Sequence, residues 1–169
     1  TSWPGAGSII HMQPNGAGDV DDCSTGTWTD VDEITPDDVT TTCEMGSSVA
    51  ATVIDVNLES AADAQIAGGA TLVQVGVREA LNSAGAISWQ LHVKPSSGAA
   101  STTGTVTTHN DTTYRTNGDV APRNYTLTSY ISPVTGLPWT LNDLTTAHIG
   151  LSRFPIATDS VISTLWLLV

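Results

Sequence analysis

The chain has almost no positive charge. Of its 169 residues only 5 are Lys or Arg, against 17 Asp or Glu, for a formal net charge of −12. A surface that neutralises phosphates needs a supply of cations, so nucleic-acid binding is excluded. Attraction to an anionic membrane surface is excluded on the same ground. Long apolar runs are missing too: the longest, Leu165 to Val169, falls far short of the ~20 residues of a membrane-spanning helix. The opening TSWPGAGSII lacks the basic region and apolar stretch of a signal peptide. It also lacks an initiator Met, which points to Met removal or earlier processing. Disorder is excluded by what is present, a 40% hydrophobic content and a mean hydropathy of +0.03.

Catalytic signatures are absent as well. There is no G-x-S-x-G elbow, no H-E-x-x-H and no G-x-x-x-x-G-K-[ST] phosphate loop, and Gly16-Ala17-Gly18 lacks the third glycine of a dinucleotide site. His11, His92, His109 and His148 are scattered, none with a partner at metal-ligand spacing. His92 alternates away from the Trp89 face and is expected to be a solvated strand histidine. The residues thus point to no enzyme, no catalytic side chain and no cofactor.

What the chain does have is β periodicity. Apolar residues alternate at Ile54, Val56 and Leu58, at Val73, Val75 and Val77, and at Ile87, Trp89, Leu91 and Val93. Tyr125, Leu127 and Ile131 continue the pattern, and Ile149 with Leu151 marks a further short strand. Turn chemistry separates these runs at Gly68-Gly69, Asn82 to Gly85, Ser96-Ser97-Gly98, Asn117-Gly118-Asp119 and Pro133 to Pro138. Many short strands so punctuated predict an all-β chain, one antiparallel β-sandwich domain over residues 1–169, jelly-roll-like. Helix is confined to one turn at Thr140 to Leu144, with Thr140 as cap; Ser60 to Ile66 reads as either a helical turn or a loop.

Three further features bear on binding. Cys23 and Cys43, 20 residues apart, are either a disulfide or two thiols in or beside the core. The acidic N-terminal region offers Asp19, Asp21 and Asp22 as candidate Ca²⁺ ligands, since that ion takes six to eight oxygens. The spacing lacks the alternation and glycine of an EF-hand loop, so the competing reading is a solvated acidic loop and no metal. Five Trp stand beside a single Phe. Trp89 follows the inward parity, Trp166 belongs to core or interface, and Trp28 and Trp139 are candidates for a glycan platform or for plugs at the sandwich ends. Residues 1–12, with Trp3, Ile9 and Ile10 among Pro4, Gly5 and Gly7, read as either a strand of the chain's own sheet or, the favoured reading, an arm docking on a neighbour. Ser160 to Val169, apolar on both parities, needs cover on both faces, which makes Trp166 and Leu168 candidate assembly contacts.

Three stretches carry a family resemblance. Trp28-Thr29-Asp30 followed by Val31-Asp32-Glu33-Ile34-Thr35-Pro36-Asp37-Asp38-Val39-Thr40-Thr41 is similar to a VDE-x-x-P-D-D-x-T-T signature. Val73-Gln74-Val75-Gly76-Val77-Arg78 is similar to the strand after it. Pro133 to Leu144, then Ile149-Gly150-Leu151, is similar to a P-x-T-G-x-x-W-T-x-x-D-L connection. Together they resemble small virion structural proteins of tailed bacteriophages. Thr145-Thr146-Ala147-His148 departs from that pattern, as do the two cysteines. The resemblance implies a non-enzymatic subunit at a virion surface, decorating or completing the capsid or tail through contacts with copies of itself or other virion proteins. The alternatives are a carbohydrate-binding module for host attachment, with glycan as partner, and the subunit of an extracellular filament.

Overall fold

Alternation at Ile87, Trp89, Leu91 and Val93 puts four apolar side chains on one face of a single strand, and each is buried. The same logic builds the rest. The computed structural model describes residues 9–33, 41–46, 50–81, 85–111, 123–154 and 159–169. Among them run the strands His11–Met12 (β1), Pro14–Asp21 (β2), Cys43–Met45 (β3), Thr52–Leu58 (β4), Val73–Leu81 (β5), Gly85–Lys94 (β6), Thr102–Thr103 (β7), Thr107–Asp111 (β8), Arg123–Ser129 (β9), His148–Arg153 (β10) and Ser160–Leu168 (β11). One short α-helix, Leu141–Thr145 (α1), and a single 3-10 turn at Trp28–Asp30 complete the set.

The pairing is that of a doubled ribbon. β1 lies on β11, β4 on β10, β5 on β9 and β6 on β8, all antiparallel, so the chain runs out and returns alongside itself. Wrapping that ribbon gives one sheet ordered β1-β11-β5-β9, with β3 also on β11, and a second ordered β2-β4-β10-β6-β7, with β8 also on β6. This is a β-sandwich of jelly-roll order. Its two inner faces close on one apolar cluster that includes Ile54, Val56, Val75, Val77, Trp89, Ile149, Leu151, Ile162, Leu165 and Leu167. Trp89 of one sheet meets Tyr125 of the other edge to face, with ring centres 4.5 Å apart. Each aliphatic side chain so buried stabilises the fold by roughly 1.5–3 kcal/mol.

Local chemistry sets the connections. Thr140 and Asp143 cap α1 reciprocally, the Asp143 amide donating to Thr140 Oγ1 at 3.2 Å and the Thr140 amide to Asp143 Oδ2 at 3.0 Å. The expected helical turn is therefore present, with Leu144 buried beneath it. Ser60 to Ile66 is a turn, not a helix: Gln65 adopts φ of 59° and the Ile66 amide bonds back to the Ala61 carbonyl. The two cysteines are joined, with Cα atoms 5.5 Å apart, tying the end of β2 to β3 across the two sheets. Closing a loop of this length contributes about 3 kcal/mol.

Residues 10–12 take the strand reading of the N-terminal stretch, not the arm. Ile10 exchanges two backbone hydrogen bonds with Val169, and His11 and Met12 pair with Leu168 and Leu167, so residues 10–12 complete the chain's own sheet instead of reaching out as an arm. Pairing satisfies backbone groups that a free arm would leave to water. Trp3 and the rest of residues 1–8 lie outside the described residues, as do Ile34 to Thr40, and with them Asp37 and Asp38.

Candidate functional site

The outward parity of the second sheet carries chemistry that the inward parity does not. Asp55 stands in β4 between buried Ile54 and Val56, and is itself 1% exposed. Beside it, β10 presents His148 and Gly150, and β6 presents His92 and Lys94. Gly150 sits opposite both Asp55 and His92 in the pairing. Having no side chain, it lets the carboxylate on one neighbouring strand meet the imidazole on the other. A methyl group at Gly150 would fall 2.5 Å from His92 Cε1.

Asp55 receives four donors. His148 Nδ1 donates to Oδ1 at 2.8 Å and the Asp19 amide to the same oxygen at 2.9 Å. His92 Nε2 donates to Oδ2 at 2.8 Å, and Lys94 Nζ lies 3.0 Å from Oδ2. An ionised carboxylate only accepts, so these contacts fix the protons on His148 Nδ1 and His92 Nε2. Burial alone would raise the Asp55 pKa, but the hydrogen bonds from His148, His92, the Asp19 amide and Lys94 outweigh it and hold the carboxyl far below the usual range. Lys94 shows the converse: burial disfavours its charge, yet its bonds to Asp19 and Asp55 push its pKa up.

Asp19, from β2, is the second layer. Lys94 donates to its Oδ2 at 2.5 Å, Ser97 Oγ to its Oδ1 at 2.5 Å, and the Gly98 amide to Oδ2 at 2.7 Å. Those bonds, Lys94's first, lower its pKa. Two carboxylates and one ammonium thus bind four strands and the loop after β6 into one polar layer.

A depression of about 470 Å³ opens over this layer. Asp19 and its neighbours Ala17 and Gly18 form one wall, Ser96 and Ser97 another, and Thr145 and Thr146 a third, while Asn57 and His148 lie between. Asp19, Asp55 and His148 offer three donor atoms within 4.8 Å of one another, a geometry that could hold a metal. The Lys94 ammonium, however, already takes the cationic place between the two carboxylates.

The residues singled out in the sequence are distributed unevenly over this picture. Asp19 is in the site. Asp21 instead accepts from the Cys23 and Trp28 amides, and Asp22 from the Val53 amide, so the three do not converge as a ligand set. His92 corrects the expectation of a solvated histidine: its parity is outward, but it is buried and bonded to Asp55. Trp139 is buried with its Nε1 donating to Ser129 Oγ at 3.4 Å, and Trp28 packs half-buried against the core. Trp166 is half-buried on the outer face of the first sheet, where its indole lies over Gly76. Leu168 is half-buried beside it, and Ile9 is 83% exposed.

Sequence reasoning missed Asp55, His148 and the role of Lys94. One signal was available: a carboxylate inside the apolar run Val53 to Val56, and a glycine between Ile149 and Leu151, mark a face that is neither solvent nor core.

The chain matches no protein-family model and no curated protein. Among solved structures it is similar to an Eiger TNF from S. frugiperda, at 13% identity over 95% of this chain and 90% of that one. The TM-score of 0.36 makes this a loose likeness that carries no argument about function.

Proposed function

We propose that the chain is a non-enzymatic structural subunit of a phage particle, which decorates or completes a capsid or tail through contacts with copies of itself or with the lattice. One observation carries the reading. Leu72, Tyr130, Ile131, Val134, Leu137 and Leu141 are all exposed, Tyr130 by 65% and Leu137 by 63%. They share one end of the sandwich: Val73 pairs with Ser129, Ala70 bridges to Trp139, and the Ser132 amide bonds to the Leu137 carbonyl. Large apolar side chains gathered on a surface mark an interaction site. Most of them lie in or beside Pro133 to Leu144, one of the stretches on which the family resemblance rests. The saturated Asp55 layer agrees with a rigid part, since a carboxylate with four donors has no lone pair left for a substrate.

The test is assembly. Light scattering over a range of protein concentrations should show self-association or, with tailed-phage particles added, co-sedimentation. Replacing Ile131 and Leu137 by Asp should abolish either one while leaving the melting temperature unchanged. A chain that stays monomeric at every concentration and binds no particle refutes the proposal.

A further inference from the structure

The depression over the Asp55 layer has hydrogen-bonding capacity that the fold does not use. Asp55 fixes a proton of His148 on Nδ1, so in the neutral imidazole Nε2 is left as a bare acceptor. The His148 side chain is nine-tenths buried, lines the depression, and makes no other hydrogen bond among the described residues. The Asn57 carboxamide and the Ser96 hydroxyl line the same space and are also without a hydrogen-bond partner among the described residues. Among the described residues Asp19 Oδ1 accepts only from Ser97, which leaves a lone pair toward the depression.

We infer that this depression binds a neutral saccharide. The charges select against other ligands. A divalent cation would meet the Lys94 ammonium, which lies 2.5 Å from Asp19 and 3.0 Å from Asp55. An anion would meet Asp19, whose countercharge is already engaged. Among the described residues no Trp, Tyr or Phe lines the walls, so a planar base has no large ring to stack on. What remains is two acceptors, His148 Nε2 and Asp19 Oδ1, beside two groups that both donate and accept. Adjacent sugar hydroxyls, each a donor and an acceptor, match that set. The volume lies in the ordinary range for small-molecule sites. The walls offer little area of any kind to bury, so affinity is weak, on the order of millimolar. The inference stands apart from the assembly reading, because it concerns the isolated chain and none of the exposed apolar residues named there lines the depression.

The experiment is a ¹H–¹⁵N and imidazole NMR titration of the dilute chain with glucose, galactose and N-acetylglucosamine, and separately with CaCl₂, ZnCl₂ and sodium acetate. The expected result is that at least one sugar shifts Gly18, Asn57, Ser96 and the His148 ring together. The double variant Asn57→Ala, Ser96→Ala should bind that sugar about 10-fold more weakly, with an unchanged melting temperature. Shifts at these residues from a metal salt or acetate but from none of the sugars overturn the inference. So do sugar shifts confined to the Trp166 face, or no shift at all.

Discussion

Removing the Asp55 carboxylate is the most direct test of how the second sheet is held. In Asp55→Ala, the Asp19 amide, His148 Nδ1 and His92 Nε2 each lose their acceptor, and Lys94 keeps only Asp19. Breaking a buried ion pair by deleting one partner costs about 3–5 kcal/mol, because the other charge stays desolvated. Lys94 retains a carboxylate, so the loss belongs at the low end, about 3 kcal/mol. In a domain of this size 1 kcal/mol moves the thermal midpoint by roughly 2–4 °C. The expected fall is therefore roughly 6–12 °C, with a lower urea midpoint and an unchanged m-value. Asp55→Asn should fall nearly as far despite its matched volume, since its amide nitrogen turns a donor toward donors. Calorimetry and urea titration of both variants decide the matter. A loss below about 1 kcal/mol in both would show that the four contacts do not act as a stabilising layer, and the reasoning would fail.

Two other expectations follow from the same geometry. Exchanging a strand glycine for alanine ordinarily gains stability, by roughly 0.5–1 kcal/mol, but Gly150→Ala should lose about 1–3 kcal/mol as the methyl meets the His92 ring and the Ile54 carbonyl; a stabilised variant in urea titration counts against the close approach. Both Asp55 and Asp19 have pKa values lowered from 3.8, so the unfolded chain takes up protons there first, and the stability they contribute above pH ~4 is lost as pH falls below it. Thermal melts between about pH 5 and pH 2 should show a steeper decline for the native chain than for Asp55→Ala, and parallel declines would contradict the assignment.

How far the sequence discloses this molecule depends on the range of the interactions. β4, β5, β6 and β10 announce themselves because each turns apolar side chains into the core at every second residue, the period of a strand. β2 does not, since Pro14–Asp21 is a mostly exposed edge strand whose register on β4 is interrupted twice. Ile131 was grouped with the strand residues but lies beyond β9 and is exposed, because strand pairing on β5 ends at Ser129. The site was the least legible part. Asp55 meets His92 across 37 residues and His148 across 93, and outward parity in a single strand looks the same whether water or another strand lies above it. Only the pairing order, which places glycine between the two partners, reveals which it is.

The position of β11 has a consequence for synthesis. It is the centre of its sheet, flanked by β1 and β3 on one side and β5 on the other, yet it is synthesised after every strand it pairs with. While the nascent polypeptide lengthens, β1 has no ladder to join and one margin of β5 stays bare, so apolar side chains such as Val75 and Val77 await their cover. Cooperative closure is then a late, whole-chain event dominated by distant contacts, which sets a slow folding rate. Until β11 clears the ribosome, the unfinished layer is where chaperones or stray strands would gain a hold.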